Sequence, residues 1–455
     1  MTLRLTPDPS LRRYDDGRTL AGGSPFRVLR LSPKGAEAVD GWIDGKAVAG
    51  SATGLAQRLV RAGLMHPHYD EAQYGPGDVS AVIPVRDGAL TGLLAALDTT
   101  AIVIDDGSRQ PIPEAAVRHD VARGPAAARN AGWRLARTPL VAFLDADTIP
   151  APGWLEPVLR HFEDPAVAAV APRVRSTPGS TAIARYESTQ SPLDLGGEPG
   201  LVRPGSRVSY VPTAALVVRT SALRELDGFD EDLRFGEDVD LIWRLIAHRH
   251  LVRYEPAAIV EHAPRTRWTA LVRQRFDYGS SAGPLAQRHG DAVAPVRASV
   301  WSVVAWILVL TGRTGAGLAV VGGAAALLTR KLGKIGIPPQ EAVRLAVHGN
   351  VGAGRVFADA IGRAWAPVAI PLLLLSRRGR VVLGLVALRH VLDWARKRPP
   401  LDPARWSLAR IVDDLAYGCG VARGALKSRS LGPLLPFLTD RGGRSSVQVN
   451  DKAEP

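Results

Sequence analysis

Four short apolar runs, 79–85, 100–105, 140–145 and 167–171, punctuate the first half of this chain. Each is about the length of one strand and too short for a stable helix. They are continuous rather than alternating, so both faces of each strand must be covered. That is the pattern of a parallel sheet flanked by helices. The stretches between the runs read as helical, and the alternation continues to about residue 265. The expectation is an α/β domain over 79–265, with ligands at the carboxyl ends of its strands.

Acidic residues sit at those ends. Asp105-Asp106-Gly107-Ser108 closes the second run and Asp145-Ala146-Asp147 the third. Two aspartates spaced by one residue project to the same side in extended chain. That suits a hard divalent cation, Mg²⁺ or Mn²⁺, which takes one or two carboxylates and completes its shell with phosphate oxygens. Either motif alone is also ordinary turn chemistry. Two of them, at the ends of two apolar strands about 40 residues apart, make a stronger case. Between them, Arg123-Gly124-Pro125 opens a helix that carries Arg129. A helix N-terminus and an arginine can both hold a diphosphate, although a solvated arginine on a plain helix has the same sequence. A third acidic cluster, Asp230-Glu231-Asp232 and then Glu237-Asp238-Val239-Asp240, leads into a further helix. Asp238 reads either as an N-cap or as a general base that takes a proton from an attacking hydroxyl. His262 closes the region as a core histidine or a metal ligand.

The flanking regions differ from this one. In 1–75, a strand over 26–31 precedes a helix opened by Ser32-Pro33, and a second amphipathic helix covers 55–64. This reads as a small winged-helix-like α+β module with a packing or peptide-docking role, closed by a Gly75-Pro76-Gly77 linker. Region 266–440 is mostly helical, with apolar segments 300–310, 318–328, 364–375 and 381–388 set among Arg313, Arg330, Lys331, Lys334, Arg377, Arg378 and Arg380. None of these runs reaches the roughly 20 apolar residues of a spanning helix without a charge or a break. They are expected either as buried helices or as helices against a membrane, with the membrane reading ahead. Residues 441–455 are polar and expected to be disordered. Lys and Arg number 57 against 44 Asp and Glu, a net charge of +13, which admits nucleic acid, acidic lipid or a diphosphate as partner. The single cysteine, Cys419, excludes a disulfide framework and is expected in the core. The first residues lack the apolar stretch of a signal peptide, so the chain is expected to begin in the cytoplasm.

Taken in order, Val82-Ile83-Pro84, Asp105-Asp106-Gly107-Ser108, Ala128-Arg129-Asn130-Ala131-Gly132, Asp145-Ala146-Asp147 and Gly236-Glu237-Asp238-Val239-Asp240-Leu241 resemble a family 2 glycosyltransferase of GT-A fold. The whole chain is similar to the members that serve mycofactocin systems, on Leu29-Arg30-Leu31-Ser32-Pro33, Ala62-Gly63-Leu64-Met65-His66-Pro67 and the run from Arg273 to Gly279. This resemblance implies a nucleotide-sugar site made by Pro84, Asp105, Asp106, Arg129 and Asp145, with Asp106 on the uracil ring and Arg129 near the phosphates. It implies Asp147 on a Mg²⁺ or Mn²⁺ ion, with His262 the candidate further ligand, and Asp238 as the base of an inverting transfer; Asp230, Glu237 and Arg275 are the candidates toward the acceptor. It further implies UDP-glucose as donor, a peptide-derived redox cofactor precursor as acceptor, β-1,4-linked glucose as product, and work at the inner membrane face. The alternative acceptor is a cell-envelope glycan or lipid. Processive members carry Gln, two residues, then Arg-Trp; here Arg275-Phe276 has Val272 three residues before it, so chain gripping of that kind is in doubt. A winged-helix nucleic-acid binder is the remote alternative. Only Arg58 and Arg61, with His66 and His68, give residues 50–75 a phosphate footprint. No nucleic-acid partner is expected.

Overall fold

The computed structural model describes residues 2–440; the tail expected over 441–455 lies outside the described residues. The chain divides into two units. One is built mainly from His68–Gln274, the other from Arg4–Pro67, Arg275–Arg396 and the chain from Pro403 onward.

The first unit is organised by one sheet. Its strands are β1 (Val79–Val85), β2 (Thr100–Asp106), β3 (Ala115–His119), β4 (Leu140–Leu144), β5 (Thr148–Pro150), β6 (Val167–Ser176), β7 (Gly200–Leu201), β8 (Ala215–Arg219) and β9 (Leu251–His262). They lie in the order β5-β9-β6-β8-β4-β1-β2-β3, with β7 added beside β9. The block β4-β1-β2-β3 is parallel, as the continuous apolar runs require. Strand β8 runs antiparallel between β4 and β6, and β6 and β9 are parallel again. All four expected strands are present. Their side chains are almost wholly buried: Val79, Ile83, Leu140, Leu144 and Val170 form one core with Trp154, Leu155, Val158 and Phe162. Helix α1 (Pro125–Leu135) starts after Gly124, whose φ of 100° suits glycine, and carries Pro125 in its first turn. It lies close on β1: a Cβ on Gly132 would come within 2.3 Å of a Val82 methyl. Helix α2 (Glu237–Ala247) starts after Gly236 in the left-handed region. Its first turn holds Glu237, Asp238 and Asp240, where the helix dipole favours negative charge.

The second unit joins the N-terminal residues to helices from the other end of the chain. Strands Arg12–Tyr14, Thr19–Gly22 and Arg27–Arg30 form an antiparallel sheet. Ser32 caps helix Pro33–Ile43 by accepting from the Gly35 N–H, and the second helix spans Thr53–Arg61. Ala21 and Val28 of this sheet share a core with Leu332, Ile335, Ile337 and Ala342. The Thr19 hydroxyl donates to the Ile335 carbonyl at 2.6 Å. The apolar segments are helices Val300–Leu310, Thr314–Gly333, Ala366–Leu374 and Arg377–Lys397, with Pro339–Gly362 between the second and third. Segment 318–328 extends at both ends into the 20-residue helix Thr314–Gly333, which is long and apolar enough to cross a membrane by length and composition, with the expected charges, Arg330 and Lys331, inside its last turn. Flanking Thr, Gly and Ala residues continue the helix without adding charge until Arg330. Helices Pro339–Gly362 and Ala366–Leu374 form a pair bent by 92° that passes the same test together.

Cys419 is exposed, not buried. The buried face of helix Pro403–Lys427 is lined by Ala416, Gly420 and Gly424 instead. A Cβ on Gly420 would sit 2.0 Å from the Phe276 carbonyl oxygen, so backbones nearly touch there and no sulfur fits.

Candidate active site

The carboxyl ends of β1, β2 and β4 gather the acidic motifs, each with partners that the sequence did not reveal. Asp105 is fully buried. It accepts from the Ser108 N–H at 2.8 Å, from the Ile112 N–H at 3.2 Å and from the Arg118 guanidinium. Burial alone would raise its pKa, but these bonds hold it down at about 2. Asp106 accepts from His119 Nδ1 and from the N–H groups of Arg123 and Gly124, all at 2.8 Å. It thereby fixes the entrance of α1. Arg118 and His119 were missed in the sequence. They lie on the edge strand β3, in register with Asp105 and Asp106. Their only signal was a short Ala-Ala-Val run, 115–117, directly before them. Pro84 pairs with Ile104 at the end of β1, beside this turn.

Arg129 is buried, which rules out the solvated arginine of a plain helix. Its Nη1 donates to Glu237 Oε1 and its Nη2 to Asp145 Oδ1, both at 2.8 Å. Both ends of the guanidinium fork are therefore engaged by carboxylates. Its planar group ties the end of β4 to the start of α2. Burial disfavours its charge, but Asp145 and Glu237 more than offset this and raise its pKa. Asp238 follows Glu237 and is half-buried. Gly236 occupies the N-cap position, so Asp238 is not the cap. Its Oδ1 accepts from the Val239 N–H at 2.7 Å. Loss of hydration, then the neighbouring Glu237 charge, pushes its pKa up to about 7. A carboxylate with that pKa can hold or release a proton near neutrality, as a general base must. Asp230 accepts from the Asp232 N–H at 2.9 Å, in the loop before α2.

Asp147 and His262 meet because β5 and β9 pair with Thr148 opposite His262. Their Oδ2 and Nε2 atoms are 3.3 Å apart. Burial opposes the charged form of each group, but their mutual attraction lowers the Asp147 pKa and raises that of His262. Arg265 acts on both electrostatically. It too was missed in the sequence, and its guanidinium has no hydrogen-bond partner among the described residues.

Residues 88–226 match the profile of Glycosyl transferase family 2. The chain is 40% identical over 462 residues to the Pre-mycofactocin glycosyltransferase of Mycobacterium tuberculosis, a match covering 95% of this chain and 97% of that one. The chain belongs to glycosyltransferase family 2. It is a glycosyltransferase, and its sheet and acidic strand ends are those of the GT-A fold. It is also 30% identical to the Succinoglycan biosynthesis protein ExoU of Rhizobium meliloti, over 38% of this chain and 58% of that one. A solved structure of S. aureus TarS with UDP aligns with 45% of this chain and 65% of its own, at 15% identity and a TM-score of 0.33.

Members of this family are expected to use a divalent cation, and the donors here can be tested against that. Asp145 is bonded through Oδ1 to Arg129, while Asp147 and His262 face each other and present one carboxylate and one imidazole to an ion. No group of three or more candidate ligands occurs among the described residues. One carboxylate and one imidazole fit an ion that draws its other ligands from a diphosphate and water, and do not fit a closed protein cage. Of the residues expected toward the acceptor, Glu237 is held by Arg129. Arg275 belongs to the second unit, where it is buried and donates from Nε to Asp413 at 3.1 Å.

Proposed function

We propose that this glycosyltransferase moves glucose from UDP-glucose, with inversion, onto a pre-mycofactocin-type acceptor, a peptide-derived redox cofactor precursor, adding β-1,4-linked units. The near full-length match to the Pre-mycofactocin glycosyltransferase carries this reading, because it extends beyond the catalytic sheet to both flanking regions. The shorter match to ExoU favours an envelope glycan as the second choice of acceptor, but it spans only 38% of this chain.

The acceptor hydroxyl attacks the anomeric carbon, its proton passes to Asp238, and the bond to the nucleoside diphosphate breaks on the opposite face. With Oδ1 of Asp238 bound to the Val239 N–H, Oδ2 is the atom that takes the proton. Arg129 holds Glu237 and Asp145 and so positions the base beside the donor. The turn stiffened by Asp105 and Asp106, next to Pro84, receives the uracil ring. Asp147 and His262 would hold Mg²⁺ or Mn²⁺, which would supply positive charge to offset that of the departing diphosphate. Arg265 replaces Arg129 as the basic partner of those phosphates. We place the enzyme on the inner face of the cell membrane.

The test is incubation of the purified chain with UDP-glucose, Mn²⁺ or Mg²⁺ and purified pre-mycofactocin, read by mass spectrometry. Successive hexose additions are expected. Release of UDP with no hexose on this acceptor would exclude the proposed acceptor and leave the donor chemistry standing.

A further inference from the structure

In the second unit, two turns meet side by side. One joins helix Val300–Leu310 to helix Thr314–Gly333, the other joins Ala366–Leu374 to Arg377–Lys397. Arg378 fastens them: its Nη1 donates to the Thr311 carbonyl at 3.1 Å. A Cβ on Gly312 would lie 2.9 Å from the Arg378 guanidinium carbon, so the two turns are in contact. Arg380 donates to the Leu374 carbonyl at 3.0 Å. Around this joint Ile307, Leu310, Leu372, Leu374 and Leu375 are exposed, Leu375 at 81%. Arg313 and Arg377 stand in the same two turns, also exposed. From the joint, helix Arg377–Lys397 carries Val381, Leu385, Leu388 and Leu392, all exposed, at spacings that make one stripe. Neither 299–340 nor 360–392 contains an aspartate or glutamate.

An open leucine cluster inside an arginine collar, with no acid in either of the two joined segments, has few suitable partners. A second copy would set arginines against arginines. An anionic lipid surface matches both features: leucines enter the acyl boundary to about 5–10 Å, while guanidinium groups stay at the phosphates. We propose that the joined turns, with the stripe on helix Arg377–Lys397, are a shallow membrane-docking surface selective for anionic lipid. This rests on the membrane-face reading above and is independent of which acceptor is glycosylated.

The test is sedimentation of the full-length protein with vesicles of phosphatidylcholine, alone or mixed with phosphatidylglycerol. Binding is expected to be several-fold greater to the mixed vesicles and to weaken with salt. The double variant Leu374→Asp/Leu375→Asp is expected to bind both vesicle types about tenfold less or worse. Arg313→Glu/Arg377→Glu is expected to lose the preference for phosphatidylglycerol. Both variants should keep the parent melting temperature and sugar transfer in detergent-free solution. Equal or absent binding of the parent protein to the two vesicle types overturns the proposal, as does parent-like binding by the leucine variant. A dimer that the leucine variant dissociates, with no lipid binding by the parent, assigns the surface to a second copy and also overturns it.

Discussion

Asp238, Arg129 and Arg265 give the most direct tests at the scale of single residues. Asp238→Asn keeps the shape and removes the base, so transfer is expected to fall about 10²–10⁴-fold while the variant stays folded. In the parent, kcat/KM should rise with pH up to about 7 and then level, because the base works deprotonated. The same shift has a consequence for stability. The folded state holds the Asp238 proton to a higher pH than the unfolded chain does. This group's contribution is therefore favourable at low pH and is lost as pH rises through about 7. Asp238→Asn is accordingly expected to melt higher than the parent at pH above that point, measured by thermal denaturation. Arg129→Ala leaves Glu237 and Asp145 facing each other without their shared cation, a loss of about 3–5 kcal/mol if both stay charged. Arg265→Ala breaks no bond that the folded chain makes. It should leave the melting temperature unchanged and weaken UDP binding roughly tenfold, read by calorimetry.

At the scale of elements, the fold was legible where burial on both faces forces a continuous apolar strand. That is why β1, β2, β4 and β6 stood out. Strand β3 did not, because it is an edge strand whose side chains alternate in exposure. Its Arg118 and His119 went unread, because only the register sets them opposite Asp105 and Asp106. That Asp147 and His262 come together was expected of two metal ligands, but what joins them, the pairing of β5 with β9, was hidden. The motif residues were readable, but their partners were not, and the partners change the roles: Arg129 becomes a bridge between strand and helix. Helix α1 tests how tightly these layers fit. Gly132→Ala would place a methyl group 2.3 Å from a Val82 side-chain carbon in the sheet core. Overpacking of this kind costs about 1–3 kcal/mol. The expected result is a lower denaturation midpoint with unchanged slope, and weaker activity as α1 lifts Arg129 away from its two carboxylates.

At the scale of the whole molecule, charge has been sorted between two jobs. Carboxylates gather at the strand ends of the first unit, where the proposed chemistry lies, and arginines dominate the second. Within the second unit two buried aspartates, Asp413 and Asp414, collect arginines from distant parts of the chain. Arg275 donates to Asp413 at 3.1 Å, Arg363 to Asp414 at 2.8 Å and Arg389 to Asp414 at 2.5 Å. These contacts draw together helices Trp268–Ser280, Arg377–Lys397 and Pro403–Lys427, and the turn after Pro339–Gly362. Nothing in the sequence near Asp413 announced this, because Arg275, Arg363 and Arg389 are remote and arginine is abundant throughout. Such a cluster adds little over a well-packed apolar core, yet removing one member is costly because it strands the others. Asp414→Ala leaves Arg363 and Arg389 without this carboxylate, and a loss of about 3–5 kcal/mol is expected, seen as a lower urea midpoint. Asp414→Asn keeps the volume and two hydrogen-bond groups but not the charge. If charge balance is what holds the helices together, the asparagine variant should fall nearly as far as the alanine one. A midpoint close to that of the parent would instead assign the role to packing and hydrogen bonding.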